Sequence, residues 1–202
     1  MFVQVIQGQV SDAARVRALM DRWVTDLLPG ATGWLGSTSG VTDDGQFVAL
    51  ARFESEEAAQ QNSDRPEQSA WWDEMAAQFT GEPVFHNSTA VDVDTPGDPS
   101  QATFVQVMQG RTSDVDRARE LMADTPADFA AFRPDILGNV WVGHDEGAWT
   151  MAIYFTSEAD ARVGEKKEPP PELAKPMEEM NALSIGEPVF LDLKDPWLDA
   201  PS

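Results

Sequence analysis

The chain has 202 residues, 42% of them hydrophobic, and its 14 basic and 35 acidic residues give a net charge of −21 at pH 7. This acidity disfavours binding to nucleic acid, which depends on Lys and Arg displacing counterions, and binding to an anionic membrane surface. With no cysteine, the chain has no disulfide, thiol nucleophile or thiolate metal site. Because it shows neither a run of roughly 20 apolar residues nor a signal-peptide pattern, we expect a cytoplasmic protein.

The chain opens with a strand signal followed by a helix signal. Residues 2–7 form a short apolar strand pattern, and Ser11-Asp12 provides an N-cap for a helix with apolar residues at 3.6-residue spacing. Two further strands are predicted at about 34–41 and 46–52, around a hairpin turn in which Gly45 supplies a positive φ.

A second helix and a last strand complete this pattern. The helix begins near Ser55, is interrupted around 62–66, and resumes as far as Phe79. The last strand is predicted from Pro83 to about Val91. The order is therefore βαββαβ, the split βαβ or ferredoxin-like unit.

The second half of the chain repeats the first. Residues 2–21 and 104–123 are identical at 12 of 20 positions with a constant offset of 102. The motif GEPVF at 81–85 returns at 186–190, so three additional residues in the second copy extend the offset to 105. Two tandem copies of one unit are therefore expected.

These patterns predict the domain organisation and the fold class. We expect a first ferredoxin-like repeat at 1–92, a linker rich in Pro, Gly, Asp and Ser at 93–102, a second repeat at 103–195, and a C-terminal tail at 196–202. Each repeat would leave one sheet face without helices, and a bare apolar face must be covered. The prediction is an α+β protein whose two repeats pack sheet to sheet within one chain, as an intramolecular α+β barrel. The chain is therefore expected to be a monomer with the internal arrangement of a dimer (a pseudo-dimer).

The sequence resembles a known family in the order of its elements and in two stretches, ARFESEEAA at 51–59 and RPEQSAWWDEM at 65–75. It is similar to the dimeric α+β barrel proteins, in particular the antibiotic biosynthesis monooxygenase-like branch. The resemblance implies an intramolecular version of the homodimer that is usual in the family. It also implies the family's range of functions: cofactor-free oxygenases of aromatic polyketides and quinols, heme-degrading enzymes, and members without a known activity.

The heme-degrading relatives use an Asn on the first strand, a Trp on the second helix and a His that ligates iron. The corresponding candidates in this sequence are Gln4, Trp71 or Trp72, and His86. The Asn is not matched, and His86 falls on a strand beyond the helix that carries the tryptophans. We therefore predict no cofactor, with heme left open as an alternative that these residues do not support, and with two histidines in the chain we predict no metal site.

Gln4 and Gln106 are candidate ligand-binding residues. They occupy the same position in the two opening strands, on the face of Phe2 and Ile6. A buried amide needs hydrogen-bond partners, and a space between two sheets supplies them more readily than a dry helix layer. We expect both amides to face that space, either as polar groups of a pocket or bonded to each other and to neighbouring strands.

His86 is the candidate catalytic residue. Its strand face is apolar in the second copy, where Leu191 takes its place, so an imidazole there indicates a role confined to the first copy. A neutral imidazole can act as a base or as a donor near neutral pH. The alternative is a histidine with satisfied hydrogen bonds, packed in the core or at the rim. His144, in the turn GHDEG, is expected to be an exposed turn residue.

Trp141 and Trp149 occur in the second copy only, where the first copy has Ser39 and Phe47. Both are candidate ligand-binding residues on the second hairpin, because their size would narrow one half of the barrel. The alternative is that they serve packing alone.

The resemblance implies a cofactor-independent monooxygenase that acts on a small aromatic or apolar substrate in a pocket between sheet and helices. Two alternatives stay open: a non-catalytic module that binds a small molecule or belongs to a stress response, and a structural protein whose barrel is filled by side chains. An open cavity containing His86 would favour the first, a polar cavity without a titratable group the second, and no cavity the third.

Overall fold

The computed structural model describes residues 1–123 and 129–201, and the chain divides into two compact units. The first unit comprises Met1–Val91 and Asp195–Ser202, and the second comprises Asp92–Lys194. Each unit contains an antiparallel five-stranded sheet and helices, so the predicted α+β class with tandem ferredoxin-like repeats is confirmed. Within the described ranges, no helix has both the length and the apolar character that a membrane span requires.

The first copy of the repeat forms seven strands and helices in the predicted order. They are β1 (Phe2–Gln9), α1 (Ala13–Arg22), β2 (Trp34–Val41), β3 (Gln46–Phe53), α2 (Glu56–Ser63), α3 (Pro66–Ala76) and β4 (Val84–Ser88). A π-helical turn, Trp23–Leu27, extends α1.

The rest of the chain contains the second copy of the repeat. The elements are β5 (Val91–Asp94), β6 (Phe104–Arg111), α4 (Val115–Ala123), α5 (Phe129–Phe132), β7 (Ile136–Gly143), β8 (Ala148–Phe155), α6 (Glu158–Gly164), α7 (Pro171–Leu183), β9 (Val189–Leu193) and β10 (Trp197–Asp199). The second copy repeats the order of the first with an additional short helix, α5, and is preceded by the edge strand β5 and followed by the edge strand β10.

Each sheet has one edge strand beyond the four of the βαββαβ pattern. The strand orders are β10-β2-β3-β1-β4 in the first unit and β5-β7-β8-β6-β9 in the second. Strand β10, within the stretch 196–202 expected to be a tail, pairs antiparallel with β2. Strand β5 includes the first residues of the stretch 93–102 expected to be a linker.

The last strand predicted from Pro83 to about Val91 is found as β4, but it ends at Ser88, and Val91 begins β5 in the other sheet. Between β4 and β5, the backbone amide of Ala90 donates to the Ser88 hydroxyl at 3.0 Å. A local bond of this kind competes with the strand ladder and ends β4.

Elsewhere in the first unit, the predicted caps and turns are found. Asp12 caps α1 by accepting from a backbone amide of its first turn at 2.9 Å, and Ser55 caps α2 in the same way at 3.2 Å. Pro66 begins α3 and so separates it from α2. Gly45 turns the β2–β3 hairpin with a φ of 85°.

The sheet of the first unit has two different faces. On one face, Val3 and Val5 are fully buried. On the other, Phe2 and Phe47 belong to the core that includes residues of α1 and α3. The cavity described below lies on this second face, under the helices.

Candidate functional site

A cavity of about 450 Å³ lies in the first unit between the sheet and its helices. Pockets that bind small molecules typically enclose about 300–1,000 Å³ and have mostly apolar walls. The lining side chains that are exposed, and so mark the opening, include Ser69, Asp73 and Phe85.

Small side chains form the floor of the cavity. Ala49 and Ala51 on β3 and Ser37 on β2 line it, with Gln4 and Ile6 from β1. Ser37 and Ala51 are directly opposite each other in the strand register, and so are Gln4 and Ala51. Because protein interiors are otherwise close-packed, a run of small residues under a helix layer leaves an open volume.

Four tryptophans form the wall. The Trp23 ring, in the π-helical turn, lies 5.3 Å from that of Trp34 on β2 and 6.5 Å from that of Trp71 on α3. The Trp72 ring continues the series at 6.1 Å from Trp71, and the ring of Phe85 on β4 lies 5.2 Å from Trp72. Tilted aromatic contacts of this kind hold rings in place and present flat apolar surface.

Hydrogen bonds fix two of these indoles. The Trp71 Nε1–H donates to the Leu19 carbonyl of α1 at 2.8 Å, and the Trp23 Nε1–H donates to Gln68 Oε1 on α3 at 2.7 Å. Both bonds connect α3 with the segment of α1 and its π-helical extension. These two indoles are therefore held in place with their N–H groups satisfied.

Arg65, at the junction of α2 and α3, ties together the segments beside the cavity. Its guanidinium donates to the Leu27 carbonyl at 3.0 Å and to Asn62 Oδ1 at 2.9 Å, and it pairs with Glu67 at 2.9 Å. Asn62 lines the cavity and is buried. Arg65 thus positions this amide and anchors the end of the π-helical turn.

The structure places Gln4 in the cavity, but not on the predicted face. We expected Gln4 to face the space between the sheets, and this is wrong, since it lies on the helix side with Ile6. The reason is that the layer under the helices is not dry but contains an open volume. Within the part of the chain that the structure describes, the Gln4 carboxamide makes no side-chain hydrogen bond, which leaves its donor and acceptor available to a ligand.

Gln106, the counterpart of Gln4, is engaged within the second unit. Its amide donates to Asp192 Oδ1 at 2.9 Å, and Asp192 in turn pairs with Arg162 of α6. The Arg162 guanidinium also lies 5.2 Å from the centre of the Phe104 ring. A ligand-binding role for Gln106 stays a prediction, and its amide is already occupied by a protein partner.

His86 is not brought to the cavity. It pairs with Val5 in the register of β1 and β4, whereas its neighbour Phe85 pairs with Ile6. Opposite residues share a sheet face, so His86 lies on the face of Val5 and Phe85 on the face of the cavity. The catalytic role of His86 stays a prediction, and the sheet separates this side chain from a ligand in the cavity.

Trp141 and Trp149 lie in the second unit and line no part of the cavity in the first. Trp141 is 4% exposed, and the Arg119 guanidinium lies 5.8 Å from its ring centre. A Cβ atom added to Gly110 would meet the Trp149 ring at 2.7 Å, so this indole rests on the β6 backbone at a glycine. Their ligand-binding role stays a prediction beside these packing contacts.

The sequence-based prediction missed the tryptophan wall. A signal was present in the differences between the two copies. Trp34 and Trp71 are replaced by Ile136 and Pro176 in the second copy, and the floor residue Ala51 by Ile153. Large aromatic walls combined with a small floor residue in one copy alone indicate an opening on that side.

The lining of the cavity does not fit heme ligation by histidine. His86 lies on the opposite sheet face and His144 belongs to the second unit. Across residues 1–123 and 129–201, no group of three or more His, Asp or Glu side chains is arranged to hold a metal ion.

A scan against models of protein families matches none of them, and a search of curated proteins finds no match either. Solved structures, by contrast, match along nearly the whole chain. A protein from Lactobacillus acidophilus NCFM, provisionally named a monooxygenase, matches with a TM-score of 0.74 at 12% identity, over 98% of each chain.

Two further solved structures extend the comparison. A provisionally named monooxygenase from Fusobacterium nucleatum subsp. nucleatum has a TM-score of 0.75 at 9% identity, over 98% of this chain and 94% of that one. An anthrone oxidase-like protein has a TM-score of 0.64 at 13% identity, over 100% of this chain and 92% of that one. At these identities the likenesses show the fold.

Proposed function

We propose that this chain, which has the ferredoxin-like α+β fold of the antibiotic biosynthesis monooxygenase-like proteins, binds one small, flat, uncharged aromatic molecule in the cavity of its first unit. The observation that carries the proposal is the cavity of about 450 Å³ with a wall of four tryptophans. Aromatic rings stack against or meet one another edge to face, so this wall favours a planar aromatic ligand over an aliphatic one.

The polar groups of the cavity favour a ligand without charge. Gln4, Ser37, Asn62 and Gln68 are neutral, and no Lys or Arg is among the described lining residues. A net charge of −21 disfavours anions at long range. The Gln4 carboxamide offers both a donor and an acceptor, which suits a hydroxyl or carbonyl group on the ring system.

Binding without catalysis is the leading proposal because of what lines the cavity. Among the described lining residues, the one titratable side chain is Asp73, and it is exposed. A general base must lie within hydrogen-bond reach of the proton that it removes. No histidine among the described lining residues can act as this base, which favours a binding module over an enzyme.

Oxidation of the bound molecule by O₂ is the second candidate. It is favoured by the names of the structural neighbours, which include monooxygenases and an anthrone oxidase-like protein. Oxygen consumption by the protein with anthrone, above the rate of anthrone alone, would support catalysis. Saturable binding of anthrone without added oxygen uptake would support the binding module.

The binding proposal is tested by titrating 1-naphthol and anthrone into the protein while following tryptophan fluorescence. We expect saturable quenching with one site per chain. The variant Ala51→Ile copies the residue of the second copy and should fold, yet weaken binding at least about tenfold by filling the floor. Ala70→Ile, the same change at an exposed position of α3, is the matched control and should bind normally.

Two outcomes would contradict the proposal. One is a lack of saturable quenching by either compound in the unmodified protein. The other is an Ala51→Ile variant that binds as well as the Ala70→Ile control, since the ligand would then lie outside this cavity.

We also propose that the chain acts as a monomer of 22.1 kDa, because two repeats in one polypeptide supply what two subunits supply in a homodimer. Sedimentation equilibrium over a hundredfold range of concentration should return this mass throughout. A mass that rises to twice this value within the range would contradict the proposal.

A further inference from the structure

We propose that Asp199, on the C-terminal strand β10, orients the Ser37 hydroxyl so that the cavity floor accepts a hydrogen bond and selects ligands that carry a hydroxyl group. The inference rests on the proposed binding function and adds the chemical class of the ligand. Asp199 is a positioning residue in this account, since it acts through Ser37.

The strand register brings the two side chains together. Asp199 is directly opposite Ser37 in the antiparallel pairing of β10 with β2. Opposite residues share a sheet face, with Cβ atoms about 4.5–5.5 Å apart. Ser37 lines the cavity and is 6% exposed, whereas Asp199, beside it on the neighbouring strand, is not among the described lining residues.

Strand β10 is held firmly enough to place a carboxyl group. Trp197, two residues before Asp199, is 6% exposed and pairs with Ser39 on β2. The guanidinium of Arg17 on α1 lies 5.0 Å from the Trp197 ring centre, and the ring of Phe47, which lines the cavity, lies 6.4 Å from it. Such cation–π and aromatic contacts fix the strand against the helix.

The charged groups around Asp199 are few. Its burial raises the pKa of the carboxyl group above the usual range, and Asp21 on α1 raises it further, whereas Arg17 and the Ser37 hydroxyl lower it. Arg17 is itself paired with Asp21 at 2.9 Å. On β3, the Arg52 guanidinium comes near the backbone of Gly36, on the face opposite to Ser37.

The direction of the Ser37 hydroxyl follows from the charge of Asp199. A serine hydroxyl has one proton to donate and two lone pairs to accept with, whereas an ionised carboxylate only accepts. When the Ser37 hydroxyl donates a hydrogen bond to ionised Asp199, the lone pairs of the Ser37 oxygen face the cavity. A phenolic hydroxyl can donate a hydrogen bond to these lone pairs. An ether oxygen at the same place has no proton to donate, so its lone pairs would repel those of Ser37.

The inference is tested by comparing 1-naphthol with 1-methoxynaphthalene, which has the same ring system but no hydroxyl proton. At pH 8, which favours the carboxylate form of Asp199 more than a lower pH does, the unmodified protein should prefer 1-naphthol about tenfold, the order expected for one charge-assisted hydrogen bond. The preference should fall as the pH is lowered through the pKa of Asp199, because a protonated carboxyl group no longer requires the Ser37 proton.

Three variants separate the proposed role from a merely structural one. Ser37→Ala should bind both probes with a preference of less than about twofold. Asp199→Asn should show a reduced preference that no longer depends on pH. Ser37→Thr keeps the hydroxyl and should retain both the preference and its pH dependence. Ser37→Ala also keeps the test decisive if Asp199→Asn fails to fold.

The outcomes distinguish this inference from the function on which it rests. If neither probe binds the unmodified protein, the proposed function fails. If both bind equally at every pH, or if Ser37→Ala keeps the full preference, the cavity binds ligand but the Ser37–Asp199 pair does not select it, and this inference alone is overturned.

Discussion

The two units place opposite kinds of side chain at equivalent positions on the helix-facing side of their sheets. In the first unit, Ala49 and Ala51 line a cavity, whereas the sequence of the second copy has Met151 and Ile153 at these positions. The larger side chains occupy volume that the alanines leave open. The first unit therefore has an open volume at this place, whereas the second carries larger side chains at the equivalent positions.

The two equivalent glutamines show the same difference in polar groups. Gln106 donates to Asp192, which pairs with Arg162, whereas Gln4 is opposite Asn87 in the register and its carboxamide lines the cavity. A buried amide needs a partner. The second unit supplies that partner from its own chain, whereas in the first unit the amide borders an open cavity. Identical residues at equivalent strand positions therefore have different surroundings.

The largest expected effect comes from breaking the polar network of the second unit. Asp192→Ala leaves the Gln106 amide without its acceptor and removes one partner of Arg162, so we expect a loss of about 2 kcal/mol in the free energy of unfolding. The matched change in the first unit, Asn87→Ala, should cost less than about 0.5 kcal/mol, because Asn87 is exposed. Urea unfolding of both variants measures the difference, and equal losses would contradict the contrast between the units.

The next effect comes from making the aromatic wall resemble the second copy. Trp34→Ile copies Ile136 and removes the ring that lies 5.3 Å from Trp23. We expect binding of 1-naphthol to weaken about threefold to tenfold, the order of one aromatic contact. The fluorescence titration measures the affinity of the variant for 1-naphthol. It is carried out at a temperature at which unfolding curves show that the variant is folded. Unchanged affinity would mean that the ligand does not use this wall.

A smaller effect should appear in the pH dependence of stability. Burial raises the pKa of Asp199 in the folded protein, so the folded state holds this proton more tightly than the unfolded state does. That contribution is complete below the unfolded pKa of about 3.9 and is lost as the pH rises through the folded pKa. Asp199→Asn should therefore stabilise the protein by a few tenths of a kcal/mol at pH 7, since the group is half buried and solvent screens it, and the gain should vanish near pH 3. Thermal unfolding at both pH values tests this, and a loss of stability at pH 7 would contradict it.

The smallest expected effect is at His86. His86→Leu copies Leu191 and lies on the sheet face away from the cavity, so binding of 1-naphthol should change less than about twofold. The adjacent change Phe85→Ala removes a ring 5.2 Å from Trp72 on the cavity side and should weaken binding severalfold. If His86→Leu abolishes binding or turnover while Phe85→Ala does not, the catalytic role predicted for His86 regains its support.

Local signals were sufficient to predict the repeating elements. The strand pattern of residues 2–7, the cap at Asp12 and the turn at Gly45 each depend on a few neighbouring residues, and each is found in the structure. The strand β10 was not predictable in the same way, since Trp197 pairs with Ser39 far away in the sequence. A strand as short as β10 has no periodic pattern from which its distant pairing strand could be predicted.

The face of Gln4 illustrates the limit for the candidate site. Alternation along the strand correctly grouped it with Ile6, but alternation does not say which of two apolar faces the helices cover. The choice between them relied on the assumption of a dry helix layer. The comparison of Ala51 with Ile153 contained the missing information. The side chain is smaller in the first copy, and a smaller side chain at an equivalent position indicates an open volume there.

The edge strands β5 and β10 have a consequence for how this protein could evolve or be divided. The polypeptide that forms the first sheet begins at the N-terminus and returns at the C-terminus, where Trp197 completes the edge beside β2. Separation of the two gene halves at residues 93–102 would leave the first product without that edge and without the carboxyl group beside Ser37. Such a division would therefore be disfavoured, because the first product would expose the unpaired edge of β2.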